Sequence, residues 1–167
     1  MISLVRPDQV FAPDVLDYSR DPEFFYYLES SPMLDENEAL DFIDGMISDN
    51  QSGKRDYWCV RDDESGKIIG TIGFIFYYNH AQGVADMGYG ISRDYWGTGA
   101  FQEAGRKLLD YGFDELSLCR IQVTTVADNL PSIKGVEKLG FKKETVLHDF
   151  CATNKGRKDG VLLYILK

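Results

Sequence analysis

Apolar residues recur along this chain with two periods, and the points where the period changes mark its elements. Ile2 to Arg6 alternates as a short strand that Pro7 stops. From Pro7 to Glu29 the spacing is helical but interrupted by Pro13 and Pro22, which predicts two short helices. Asp35-Glu36-Asn37-Glu38 has the form of a capping box, with Asp35 accepting from the third amide and Glu38 reaching back. It opens an amphipathic helix with Leu40, Ile43 and Ile47 on one stripe, closed by a loop from Asn50 to Gly53. Strand patterns follow at Tyr57–Asp62, Ile68–Tyr77 and Val84–Ser92, with a turn at Asp62 to Gly66 and a loop at Asn79–Gly83. Gly88 and Gly90 inside the third strand indicate a close approach by backbone or ligand, or a bulge.

A Gly-x-Gly turn then leads into a helix from about Gly99 to Glu115, with Phe101, Ala104, Leu108 and Tyr111 or Gly112 inward. Arg120–Val126 is a further strand. Asp128-Asn129-Leu130-Pro131 starts another helix, with Pro131 in its first turn and Gly140 as a left-handed cap. Lys142–Phe150 and Gly160–Leu166 read as a terminal hairpin joined by the loop Asn154–Lys158. This order predicts an α/β or α+β domain around one mixed sheet.

Composition narrows the class. A chain of 167 residues is one domain's worth of polypeptide. Its 44% hydrophobic and 27% charged residues are ordinary for a soluble globular protein. No run approaches the roughly 18 apolar residues of a membrane span, and no basic segment precedes an apolar one at the N-terminus. Cys59, Cys119 and Cys151 lack Cys-x-x-Cys spacing and read as reduced thiols, so a cytoplasmic location is expected. A net charge of −9 argues against nucleic acid as a partner. The charge is uneven: residues 1–64 hold 16 acidic against 5 basic residues (−11), and residues 65–167 hold 11 against 13 (+2). Two differently solvated surfaces would account for this, as would a cationic substrate on one side and an anionic ligand on the other.

The chemistry concentrates at Tyr95-Trp96-Gly97-Thr98-Gly99-Ala100-Phe101, between a strand and a helix. Such a turn exposes amide N–H groups at the positive end of the helix dipole, an anion site suited to a pyrophosphate. The P-loop string is absent, and the dinucleotide fingerprint fails twice, where its third glycine is Arg93 or Gln102. Neither NAD nor a P-loop-bound ATP is therefore the expected ligand. Downstream stand Asn129-Leu130-Pro131-Ser132 and Leu139-Gly140-Phe141.

Glycine turn, helix, strand, Asn-x-x-Ser and Leu-Gly-Phe, in that order, closely resemble the GNAT superfamily of acyl-CoA N-acetyltransferases. The Tyr-Trp-Gly-x-Gly form and the Met-Gly-Tyr strand before it look like its ribosomal-protein N-terminal acetyltransferase branch. The resemblance implies one domain over residues 1–167, with a central mixed, mostly antiparallel twisted sheet of about 6–7 strands flanked by helices on both faces. It also implies acetyl-CoA as co-substrate, no metal, an amine acceptor that the charge asymmetry would make cationic, and a monomer or homodimer. The amides of Gly97, Thr98, Gly99, Ala100 and Phe101 would hold the CoA pyrophosphate. The strand ending at Ile91 and Ser92 would splay from Arg120–Val126 and pair with the pantetheine arm, the Ile91 amide facing the thioester oxygen. Asn129 and Ser132 would lie near the sulfur.

The chain departs from the family pattern in places. Trp96 stands where Gln or Arg is common, Phe101 is bulkier than the usual small residue, and Val136 occupies the position of a tyrosine general acid. Protonation of the thiolate would pass to Ser132 or water. Asp86, on one face with Gly88 and Gly90, is the candidate base, with water as its alternative. Glu103 and His80 are further candidates, whereas Tyr89 reads as core or pocket wall and His148 as a lone histidine. No metal-ligand spacing or Cys–His pairing is present. The rival to an enzyme is a non-catalytic CoA-binding sensor or partner protein, the reading that Val136 favours.

Overall fold

The computed structural model describes residues 1–76 and 83–167. Strands β1 (Ile2–Val5), β2 (Arg55–Asp62), β3 (Ile68–Ile75), β4 (Val84–Ile91), β5 (Arg120–Val126), β6 (Lys142–Thr153) and β7 (Gly156–Leu166) are joined by four helices. These are α1 (Ala12–Ser19), α2 (Glu36–Gln51), α3 (Ala100–Asp110) and α4 (Leu130–Lys138). The strands form one seven-stranded sheet in the order β1-β2-β3-β4-β5-β7-β6. Every ladder is antiparallel except that between β4 and β5.

Strand alternation sends side chains to two separate helical layers. On β2, Cys59 joins Ala12, Val15, Ile43 and Met46 of α1 and α2. Its neighbour Val60 joins Ala104, Leu108, Ile133 and Val136 of α3 and α4. β3 is buried from Ile68 to Phe74, as its unbroken apolar run requires of a strand covered on both faces. Glu103 fastens β1 to α3, its Oε1 accepting the Ile2 N–H at 2.8 Å.

Three local features differ from the sequence reading. After Pro22 there is no second helix. Phe24 to Leu28 instead form successive turns, started by the Asp21 carboxylate accepting the Glu23 N–H at 2.9 Å. The aromatic rings hold that path, with Phe24 at 5.3 Å from Tyr18 and 5.0 Å from Phe25 between centroids. Glu38 completes the cap of α2 by accepting from Leu34 N–H at 2.6 Å, one residue earlier than a capping box prescribes. The terminal hairpin is longer than expected, with Thr153 paired to Gly156 across a tight turn instead of an Asn154–Lys158 loop. Gly156 turns it at φ +103°. The β6 register slips between Leu147 and Cys151, where Asp149 sits at φ +51° and donates its N–H to Asp159 at 2.8 Å. The hairpin clasps the aromatic segment, since Asn154 N–H donates to Leu28 O at 2.9 Å. Tyr77 and most of the loop after it, His80 included, lie outside the described residues.

Candidate active site

The parallel junction opens into a V. β4 and β5 pair only at Val84↔Arg120, Ala85↔Ile121 and Asp86↔Gln122. Beyond that rung β4 stays with β3 as far as Gly70↔Ile91, and β5 stays with β7 as far as Val126↔Gly160. Ser92 N–H donates to Ile69 O at 2.7 Å, so alternation turns the amides of Met87, Tyr89 and Ile91 away from β3 and toward the opening.

At the mouth, Gly97 and Gly99 adopt φ +78° and +94°. A Cβ on either would meet nothing within 4 Å, so the backbone angle, not space, requires glycine there. Gly99 caps α3 without a side chain, which leaves the first-turn amides without intrahelical acceptors. Thr98 braces this turn: its hydroxyl donates to Tyr95 O at 2.8 Å and accepts from Ala100 N–H at 3.3 Å. Trp96 Nε1 donates to Ile91 O at 2.8 Å, tying the turn to the end of β4 while the residue stays 51% exposed. The Ile91 carbonyl is therefore engaged and its amide is the group that faces the opening. Ser92 spends its N–H on Ile69 and its C=O on Tyr95 N–H, which leaves its hydroxyl as the group it can offer.

One wall of the V, on the α3–α4 side, is a chain of hydroxyls. Tyr89 Oη lies 2.5 Å from Ser132 Oγ, and Ser132 Oγ donates to Thr125 Oγ1 at 3.1 Å. Asn129 caps α4 by accepting Ser132 N–H at 3.3 Å, which fixes Ser132 in the first turn. The Tyr89 ring packs on Phe101, centroids 4.5 Å apart at 40°. Phe101 turns inward: a Cβ at Gly135 of α4 would lie 3.3 Å from its ring. Burial pushes the Tyr89 phenol up to about 12, the Ser132 contact offsetting part of the effect, so it remains protonated across the neutral range. Val136 is fully buried in the core and offers no proton.

The other wall faces α1, α2 and the aromatic segment. Asp86 lies on the last paired rung, opposite Gln122. Its partial burial raises its pKa above the ordinary carboxylate value, with the Gln122 hydrogen bond and the Arg120 charge opposing. The close approach that Gly88 and Gly90 signal is made by side chains: a Cβ on Gly88 would lie 2.3 Å from Tyr57 Oη, and one on Gly90 2.7 Å from Phe24 Cζ.

The sequence candidates thus divide. Gly97 to Phe101 meet at the mouth, Ser132 and Asn129 line one wall, Ile91 offers its amide and Asp86 faces the opposite wall. Glu103 is engaged elsewhere, with Ile2 and with Lys107 at 3.5 Å. His148 is exposed on the β6 irregularity, 3.1 Å from Asp159. Tyr89, read from the sequence as core or pocket wall, stands in the α3–α4 wall, and Phe24 comes with the aromatic segment, whereas Thr125 and Tyr57 join the site only in three dimensions. Among the described residues no cluster of His, Cys, Asp and Glu is arranged to hold a metal, and no helix is long and apolar enough to cross a membrane.

Comparison with known proteins agrees with this architecture. The family model described as acetyltransferase (GNAT) domain matches residues 2–142. The uncharacterized N-acetyltransferase p20 of Bacillus licheniformis is 38% identical over 155 residues, covering 92% of this chain and 85% of the relative. The microcin C7 self-immunity acetyltransferase MccE, solved with acetyl-CoA and AMP, superposes with a TM-score of 0.89 at 21% identity, over 99% of this chain and 92% of that one. RimJ of Mycobacterium smegmatis, solved with CoA-disulfide, superposes with a TM-score of 0.89 at 19% identity, over 99% of this chain and 81% of that one.

Proposed function

The chain belongs to the GNAT family of acetyl-CoA-dependent N-acetyltransferases, and from that premise we propose that it acetylates a cationic primary amine by direct attack within a ternary complex. The candidate acceptors are a basic peptide N-terminus or a polyamine. The observation that carries the reading is the V between β4 and β5, with an amide-rich glycine turn at its mouth and different chemistry on its two walls.

The residues present suit the donor. Main-chain N–H groups at Gly97, Gly99 and Phe101, at the positive end of α3, fit a pyrophosphate. The Ile91 amide suits the negative charge that develops on the acetyl oxygen. The acceptor amine approaches from the Asp86 wall, gives up the proton of its ammonium form, and with the lone pair so freed forms the new N–C bond. The C–S bond then breaks, the sulfur takes a proton from Ser132 Oγ on the opposite wall, and the second proton shed by the nitrogen returns to Ser132 through water. The proton that the ammonium gives up passes to Asp86 or to water, a role helped by the raised affinity of Asp86 for protons.

Support for a cationic acceptor lies in where the acidic third of the chain folds. Asp14, Asp17, Asp21, Glu23, Glu29 and Asp35 all belong to α1, α2 or their connection, on the Asp86 side of the sheet. Their field raises the on-rate of cations. The test is calorimetric titration with acetyl-CoA, CoA, ATP and NAD, followed by thiol release with basic and neutral amines at increasing salt. Selective CoA binding, thiol release and salt-sensitive preference for basic amines are expected. Binding without thiol release from any amine would favour a CoA sensor. Equal, salt-insensitive rates for neutral and basic acceptors would refute a cationic acceptor.

A further inference from the structure

We infer that Tyr89 is a positioning residue for the leaving-group step: its phenol, delivered from β4, aims the single hydroxyl hydrogen of Ser132 at the sulfur. The inference rests on the reading of Ser132 as the proton donor. Serine has one hydrogen and two lone pairs. In the structure that hydrogen is directed to Thr125 Oγ1, 3.1 Å away, so the 2.5 Å contact with Tyr89 is made by the phenol donating to Ser132 Oγ. The phenol thus occupies one lone pair and holds the oxygen in place. The Ser132 hydrogen then has two destinations, Thr125 or a sulfur in the V, and moving between them is a rotation about one bond. A donated hydrogen bond also stabilises the serine oxygen as its proton departs.

Other features hold the phenol ready. Its ring is clamped on Phe101 at 4.5 Å, and the Phe101 ring lies against Gly135, so the hydroxyl cannot swing away without disturbing the α3–α4 packing. Ser132 is itself fixed by the Asn129 cap. Burial keeps the phenol protonated through neutral pH, so it donates at any working pH. Val136, where a general-acid tyrosine would project from α4, is sealed in the core. The phenol next to the leaving group comes from the strand instead.

The experiment is a four-protein cycle: wild type, Tyr89→Phe, Ser132→Ala and the double variant, each assayed for kcat, acetyl-CoA KM and acetyl-CoA Kd. Tyr89→Phe keeps the ring on Phe101 and removes only the hydroxyl. Expected is a fall in kcat of about tenfold with little change in KM or Kd, since one oriented hydrogen bond is lost. In the Ser132→Ala background the same change should have no effect on kcat. If Tyr89→Phe lowers kcat equally in both backgrounds, or not at all, the inference fails while Ser132 stands. If Ser132→Ala retains full kcat, the reading of Ser132 fails, and this inference with it. A KM or Kd that moves as much as kcat would assign Tyr89 to packing and overturn the inference.

Discussion

Replacing Gly90 by alanine tests how the Asp86 wall of the V is built. A Cβ there would lie 2.7, 3.3 and 3.7 Å from Cζ, Cε2 and Cε1 of Phe24. Carbon atoms rest at about 3.5 Å, so the ring would have to withdraw by about 0.8 Å. Tyr18 and Phe25 pack around it, and the hairpin clasps the segment that carries it, so withdrawal is opposed. Overpacking of this kind costs about 1–3 kcal/mol, and a strand alanine returns about 0.5–1 kcal/mol relative to glycine. The expected net loss is about 1–2 kcal/mol, or about 2–8 °C in Tm for a chain of this size. Phe24→Leu alone loses aromatic contacts worth about 1 kcal/mol. In the double variant the collision is gone, so its loss should be smaller than the two single losses together by about 1 kcal/mol. Urea unfolding of the four proteins measures this coupling. Losses that add within about 0.3 kcal/mol would refute the reasoning, as would a Gly90→Ala protein as stable as its parent.

Asp86 makes a prediction in pH. An acid whose folded-state pKa is raised holds its proton to higher pH when folded, so stability falls as pH rises from the ordinary carboxylate value through the raised one. Asp86→Asn should therefore melt higher than its parent at neutral pH, with the difference vanishing below the ordinary carboxylate range. The same variant should lose the rise of kcat/KM with pH that Asp86 imposes; a retained rise would leave water as the base. Gly99→Ala places a side chain at φ +94° in open space, a backbone cost of about 1–2 kcal/mol. The loss should be divided between Tm and acetyl-CoA affinity in melts run with and without the donor, and no change in either would refute the conformational requirement. Glu103→Gln should leave kcat within about twofold of its parent and lower stability by less than about 1 kcal/mol, because its carboxylate serves Ile2 and α3; a kcat loss of tenfold would place it in the mechanism.

The central strands and the turn at Gly97 and Gly99 were legible because each obeys a local rule. The apolar run of β3 needs cover on both faces, and the two glycines need positive φ. The extent of β6 was not, since it is an edge strand exposed over most of its length and hydrophobic alternation says nothing about polar positions. Phe24 to Leu28 misled in the opposite sense: helical spacing was present, but Pro22, the Asp21 cap and contacts with the distant hairpin set the path. Gly88 and Gly90 announced that something comes close without naming Tyr57 and Phe24. The bond between Tyr89 and Ser132 joins residues 43 positions apart on a strand and a helix, a separation that no sequence motif spans.

The V between β4 and β5 also governs how the molecule carries load. β3–β4 and β5–β7 pair over six and seven residues, whereas only three rungs join the two halves of the sheet. β1 lies at one outer edge and β7 beyond the seam, so tension applied between the chain ends must cross it. Mechanically the sheet is two plates on a short hinge, held otherwise by the side chains of α3 and α4 on one face and by the hairpin's grip on the aromatic segment on the other. The sheet is thus least paired along the V itself, and a ligand bridging β4 and β5 there would add a link across the seam.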